Sequence, residues 1–350
     1  MNKSTGNIEQ LVMAIPKIEL HLHLEGAIPL ETLLSLIQRK GSEPSIKTVE
    51  DLREKLVYKD FRHFLSIWAW KNTFITEEED FEEIVYQVLA DLSRQNVRYV
   101  EAFYSPMDFR RWGLSARLIT DCLIRGKERA YRDFGIRSEL ILDLVRDYGP
   151  ELGIELLTEL TSYVGKGIIG IGIGGSEQEY PAELFSSLYK EAKERGFRLT
   201  AHAGEAAGAG SIRAAVEKLH VERIGHGVRA NEDAVLISLL RELQIPLEMC
   251  VTSNIETGVC RSVKEHPIRE YFEQGLMVTV NSDDPTMFNT STTQEYLLLI
   301  QELGFSLNDL KRLSMNGISA SFMPDSAKET MKSQFEIEWG QLLKTYDALR

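Results

Sequence analysis

Cysteine is scarce in this chain of 350 residues: Cys122, Cys250 and Cys260 are odd in number and scattered, which argues against a disulfide framework. Long apolar runs are missing as well. None approaches the 18 residues of a membrane-spanning helix, and Met1-Asn2-Lys3-Ser4-Thr5-Gly6-Asn7 leads into a mixed stretch unlike a signal peptide. Positive charge is in short supply, with 40 Lys and Arg against 53 Asp and Glu, a net charge of −13. That balance points away from a nucleic-acid backbone or an anionic membrane as partner, and the expected compartment is the cytoplasm. No Pro/Ser-rich linker or shift of composition divides the chain, so residues 1–350 are expected to form one domain. The remainder, 43% apolar and 27% charged, is ordinary for a globular enzyme with a sizeable core.

Eight apolar runs read as strands: 18–23, 99–104, 138–145, 168–173, 198–202, 223–226, 246–251 and 277–281. Stretches of helical period lie between most of them, such as 182–195 and 233–243. Strand starts recur roughly every 25–40 residues, the size of a strand-helix unit, except for a first gap of about 80. Eight such units predict an α/β fold, a TIM (β/α)8 barrel with a helical insertion after the first strand, at about 31–95. A final helix is expected at 336–349.

Chemistry-bearing residues gather at the C-terminal ends of these strands. His21-Leu22-His23-Leu24-Glu25-Gly26 closes the first. At i and i+2 both imidazoles leave one face of a strand, as two ligands of one divalent ion must. His202-Ala203-Gly204-Glu205 closes the fifth and Gly225-His226-Gly227 the sixth. Asn281-Ser282-Asp283-Asp284-Pro285 closes the eighth, and adjacent aspartates on a strand point in different directions, one free for a metal and one for a substrate. An Asp-Asp-Pro turn capping a helix is the plainer alternative for that motif alone. Four of the seven histidines thus sit at strand ends; His63, His220 and His266 read as surface or packing residues. In a parallel barrel those ends converge on the catalytic face, so His21, His23, Glu25, Gly175, His202, Glu205, His226, Asp283 and Asp284 share it. Three imidazoles and a carboxylate suit zinc, which lowers the pKa of a bound water to about 7. Glu205, three residues beyond a histidine, is placed to act as proton donor.

Two other stretches admit more than one reading. Ile169-Gly170-Ile171-Gly172-Ile173-Gly174-Gly175 invites a dinucleotide loop, but no helix starts on the glycines and no acidic residue closes a second strand about 20 residues on. Phe61, Phe64, Leu65 and Trp68 fall on one helical face in the insertion. That stripe is either core or a lid over a flat ligand, with Phe64 and Trp68 then touching the substrate.

The ordered set His21-x-His23, His202-Ala203-Gly204-Glu205, Ile224-Gly225-His226-Gly227 and Ser282-Asp283-Asp284-Pro285 resembles the adenosine deaminase family, zinc-dependent members of the amidohydrolase superfamily. The resemblance runs from about Lys17 to Phe288, most of the chain. It implies one zinc per chain on His21, His23, His202 and Asp283. It further implies that Glu205 protonates purine N1, that His226 orients the attacking water and helps to deprotonate it, and that Asp284 holds N7. The Gly175 amide would face N3. Glu25, Phe64 and Trp68 join His23 as expected substrate contacts, and Asp283 joins Glu205 and His226 in catalysis. The fourth strand ends in Ile173-Gly174-Gly175 without the lysine that a two-metal site would need, Lys166 being at its other end.

Departures from the family pattern bear on substrate. Glu25 stands where an Asp is usual, the glycine-rich segment running to Ser176-Glu177 lacks both aspartates, Val251 replaces a proline, and Phe103 an arginine. The expected reaction is adenosine or deoxyadenosine to inosine or deoxyinosine plus ammonia, on a small-molecule purine. Adenine is an alternative compatible with Glu25, although adenine-specific relatives tend to carry Asp where this chain has Gly225. A modified nucleoside such as aminodeoxyfutalosine is another, and a non-catalytic metal-binding protein a third.

Overall fold

Strand follows strand in one cyclic order: β1 Lys17–His23, β2 Val97–Tyr104, β3 Arg137–Asp143, β4 Ile168–Gly172, β5 Arg198–Ala203, β6 Arg223–His226, β7 Leu247–Met249 and β8 Val278–Val280. In this computed structural model, which describes residues 3–59 and 61–348, each strand pairs in parallel with the next. Each overlaps its predicted run, with ends that differ by no more than two residues. Between β8 and β1 the ring is drawn together by a single bridge, Leu22 to Asp283. There His23 N donates to Asp283 O and Asp283 N to His21 O, each at 2.9 Å. The fold is a (β/α)8 barrel, as expected. Its closure and the approach of Asp283 to the two histidines are one event.

The strands are apolar because helices cover them outside and side chains fill them inside, leaving almost no solvent-facing position. Below the catalytic end the filling is ionic. Arg223 Nε donates to Glu248 Oε1 at 2.5 Å, Arg223 also bonds Glu101, and its guanidinium lies 3.7 Å from the Phe322 ring centre. All three charged residues are fully buried. Removing one member of such a pair typically costs ~3–5 kcal/mol, since its partner is left charged and dry.

Helix α1, Lys3–Ala14, precedes β1, and four helices lie between β1 and β2: α2 Leu30–Lys40, α3 Val49–Lys55, α4 Phe61–Asn72 and α5 Glu78–Arg94. Thr48 caps α3 with a reciprocal box, its hydroxyl accepting from Asp51 N at 3.1 Å while Asp51 accepts from Thr48 N at 2.9 Å. Helix α5 packs on the helix Ala116–Phe134 in the outer ring. On α4 the expected stripe needs correction. Leu65 is 49% exposed, whereas Phe64, Ile67 and Lys71 are buried and Trp68 is partly so. A step of 100° per residue turns position 65 away once 64, 67, 68 and 71 face inward. The Phe61 side chain lies outside the described residues. The last helix is also longer than expected, running Asp325–Ala348 directly after Pro324, with Met331, Phe335 and Trp339 buried at four-residue steps. Among the described residues no helix is long and apolar enough to cross a membrane.

Candidate active site

At the C-terminal mouth of the barrel, His21, His23, His202 and Asp283 present one ligand atom each within 4.8 Å of one another, all buried. His202 Nε2 lies 3.0 Å from His21 Nε2 and 3.2 Å from His23 Nε2. Asp283 Oδ1 lies 3.5 Å from His21 Nε2 and 3.4 Å from His23 Nε2. Four tetrahedral ligands at 2.0–2.1 Å from a zinc-sized ion stand about 3.3–3.4 Å apart, so these separations fit a single metal. Proton placement agrees. His21 Nδ1 is 2.7 Å from Glu248 Oε2 and donates to it, leaving Nε2 with a bare lone pair turned to the centre. Burial pushes His21 below the ordinary histidine range, and burial together with the neighbouring imidazoles pushes His202 well below it, so both are neutral donors of lone pairs. Burial would raise Asp283, but His226, His21 and His23 outweigh it and hold the carboxylate ionised.

Local sequence explains how these groups converge. His21 and His23 share a face of β1, as strand alternation requires. Asp283 and Asp284 diverge for another reason: β8 ends at Val280, and Asp283 sits in the left-handed region with φ 62°. That turn, not strand alternation, aims Asp283 inward, where Ser253 Oγ donates to its Oδ2 at 2.6 Å. His226 is left-handed too, at φ 61°. Both are non-glycine residues held in a sparsely populated conformation at a convergent site. Gly225 is small because a Cβ there would come 2.7 Å from His21 Cε1. Gly26 meets the same limit, its virtual Cβ falling 1.8 Å from Asp284 Oδ1.

Two carboxyls flank the ligand set. Glu205 Oε2 is 3.5 Å from His226 Nε2, and burial raises its pKa above the usual carboxyl range, helped by Asp283 and Glu177. Its loop is clamped from below: the buried Glu177 carboxylate accepts from Gly204 N at 2.6 Å, Glu205 N at 3.2 Å, and Ala206 N and Ala207 N at 2.8 Å. On the other side, Asp284 is raised well above its ordinary value by burial and by the adjacent Asp283, and its Oδ1 has no partner among the described residues. Glu25 is buried beside it. Glu25 Oε1 accepts from Ser105 N at 2.9 Å, Oε2 has no partner among the described residues, and burial lifts the group to about 7. Lys71 Nζ donates to Glu25 O at 2.5 Å and lies 4.2 Å from the Trp68 ring centre.

The other expected contacts are more peripheral. Gly175 has φ 94°, and a Cβ would fall 2.2 Å from Asp147 Oδ2, so glycine is required, but it stands exposed at the loop after β4. Phe64 stacks on Phe288 at 5.2 Å, one turn beyond Asp284. Arg146, in the loop after β3, donates to Tyr180 O at 2.8 Å and to His202 O at 2.5 Å and so ties that loop to β5. His266, read from the sequence as a surface or packing residue, is of the packing kind: it lies 3% exposed in a chain with Asn254 that reaches His226. Sequence reasoning passed over Glu248, Glu177, Lys71 and Asn254. An acid inside the apolar run Leu247-Glu248-Met249 was the one available signal for Glu248.

Such a barrel, with three buried histidines and a carboxylate that could hold a metal and acidic groups beside them, fits the class of metal-dependent hydrolases. Comparison with known proteins narrows the class. The sequence pattern of the adenosine deaminase family matches residues 16–337. The chain is 37% identical to the adenine deaminase of Chlorobium phaeobacteroides, over 92% of this chain and 96% of that one. It is 31% identical to the adenosine deaminase of Clostridium kluyveri, over 94% and 95%. A zinc-bound amidohydrolase from Burkholderia ambifaria superposes with a TM-score of 0.89 at 29% identity, covering 97% of this chain and 94% of that one. The chain belongs to the adenosine deaminase family, and it is a deaminase, a hydrolase of C–N bonds.

Proposed function

We propose that the chain hydrolyses the 6-amino group of a purine nucleoside, adenosine or deoxyadenosine, with one zinc ion per chain held by His21, His23, His202 and Asp283. The observation that carries this reading is the pair Glu205 and Asp284, two carboxyls beside the ligand set that burial pushes toward their protonated forms. A 6-aminopurine offers two acceptor nitrogens, N1 and N7, on either side of C6, and two acid donors match them. Bound zinc supplies the acidified water from which hydroxide is available at neutral pH. Glu205 gives its proton to N1 as C6 is attacked, which relieves the negative charge entering the ring. Asp284 donates to N7 and orients the base. The hydroxyl proton at C6 passes to the departing amino group, ammonia leaves and a C6 carbonyl remains; the proton given up by the water restores Glu205, so one water is consumed per ammonia released.

Carboxylates favour a nucleoside over a nucleotide. Glu25 and Asp143 act on His23, and Asp108 on Glu25, an acidic surround that suits sugar hydroxyls better than a phosphate. One observation favours free adenine as the second reading: Glu25 Oε1 is already taken by Ser105 N and the Glu25 carbonyl by Lys71, which leaves fewer acceptors for sugar hydroxyls. Values of kcat/KM for adenosine, deoxyadenosine, adenine, AMP and aminodeoxyfutalosine on zinc-loaded protein decide between them. The nucleoside reading requires adenosine or deoxyadenosine to lead; it is overturned if adenine or AMP leads.

A further inference from the structure

His226 is approached from behind by three successive hydrogen bonds. Ile268 N meets His266 Nδ1 at 3.3 Å, His266 Nε2 meets Asn254 Oδ1 at 3.1 Å, and Asn254 Nδ2 meets His226 Nδ1 at 3.1 Å. His266, Asn254 and His226 are 3%, 0% and 1% exposed, so solvent does not offer alternative partners. The direction of the chain follows from its first member. A backbone N–H only donates, so His266 Nδ1 accepts. Burial drives His266 down to about 3, which keeps the ring neutral with its single proton on Nε2. Asn254 must then turn its carbonyl oxygen to His266, and its amide NH2, which only donates, to His226. Nδ1 of His226 therefore accepts. In the neutral ring the proton lies on Nε2, the nitrogen 3.5 Å from Glu205 Oε2 and 3.9 Å from Asp283 Oδ2.

We propose that His266 and Asn254 are positioning residues that fix His226 as its Nε2–H tautomer, so that it offers a hydrogen-bond donor and not a base to the oxygen attacking C6. The placement of the proton follows from the hydrogen-bond geometry and the burial of His266; its consequence for the reaction rests on the deaminase reading. His226 keeps the orienting role that the family resemblance implies, and loses the deprotonating one. An Nε2–H directed at the nucleophilic oxygen holds that oxygen in line and opposes reprotonation by this ring.

The test reads the proton directly. In zinc-loaded protein labelled with 15N-histidine, long-range 1H–15N correlation distinguishes a protonated ring nitrogen from a bare one, and the His226→Gln spectrum identifies the resonance that disappears. His226 is expected to show a protonated Nε2 and a bare Nδ1, and His266 the same. A bare Nε2 on His226, or protons on both nitrogens, overturns the proposal without any measurement of turnover. Kinetics give a second arm. Asn254→Asp places only acceptors beside Nδ1, so it should move the proton there and cut kcat about 10²-fold, the scale of one group's contribution to proton handling, with KM and metal content little changed. His266→Gln keeps an N–H donor for Asn254 and should retain kcat within a few-fold, while His266→Leu should not. Retention of full kcat by Asn254→Asp, with its spectrum unchanged, contradicts the proposal. If no purine is turned over but the tautomer is as stated, the deaminase reading fails and the proton assignment stands.

Discussion

Glu248 Oε2 accepts from His21 Nδ1 at 2.7 Å while its other oxygen takes Arg223 Nε at 2.5 Å, so the proposed metal ligand His21 is oriented by a carboxylate that the barrel interior holds in place. Burial would raise Glu248, but Arg223 and His21 bring it below the usual range, so its carboxylate stays ionised. Glu248→Gln keeps the shape and loses the charge. Partners of this kind are typically worth 10–100-fold in metal affinity, so chelator competition should show zinc released about 10–100-fold more readily, with the barrel still folded. Unchanged zinc retention would remove Glu248 from the account.

Glu205 should separate metal binding from turnover. Glu205→Gln leaves the four proposed ligands untouched and removes the proposed proton donor, so zinc content should stay constant while kcat falls ~10²–10⁴-fold. The pH profile carries the sign. The donor works protonated, and burial raises its pKa, so activity is present below that raised value and is lost as pH rises through it. That alkaline limb should vanish from the residual activity of Glu205→Gln.

The Glu177 clamp makes a related case. Its carboxylate accepts from four consecutive amides around Glu205, and Glu177→Gln turns one acceptor into a donor aimed at N–H groups. The loop should shift and kcat fall by about 10²-fold, the cost of roughly 1 Å of misplacement of a catalytic group. Zinc analysis should show the metal retained. A variant with wild-type kcat would make the clamp purely structural.

Helix α4 distinguishes buried from exposed positions on neighbouring residues. Phe64→Ala removes a ring stacked on Phe288 and should lower stability by ~3–5 kcal/mol, and by loosening the segment after Asp284 it should raise KM as well. Leu65→Ala, on the exposed side, should leave the melting temperature almost unmoved, within ~0.5 kcal/mol. A Phe64→Ala protein with altered melting and unaltered KM would assign the ring to the core alone.

Legibility in the sequence followed the range of the physics. His21 and His23 were readable because strand alternation is local and strict, and each βα unit announces itself within its own length. The strand ends put Glu205, His226 and Asp284 on the right face by the same rule. Asp283 reaches the histidines for a different reason from the strand alternation expected, since a left-handed residue beyond β8 aims it. Leu65 was misassigned because a four-residue match to a helical stripe leaves the axis free to rotate by one residue. Glu248, Glu177, Asn254 and His266 stayed silent: each draws its meaning from a partner on another element, and a lone polar residue carries no period.

The most direct measurement is the fate of oxygen and nitrogen when zinc-loaded protein meets adenosine in 18O-labelled water. The account expects one ammonia per inosine formed, with a single 18O at C6 and none in the sugar. Release of no ammonia from adenosine, deoxyadenosine or adenine by protein that carries its full zinc would contradict it.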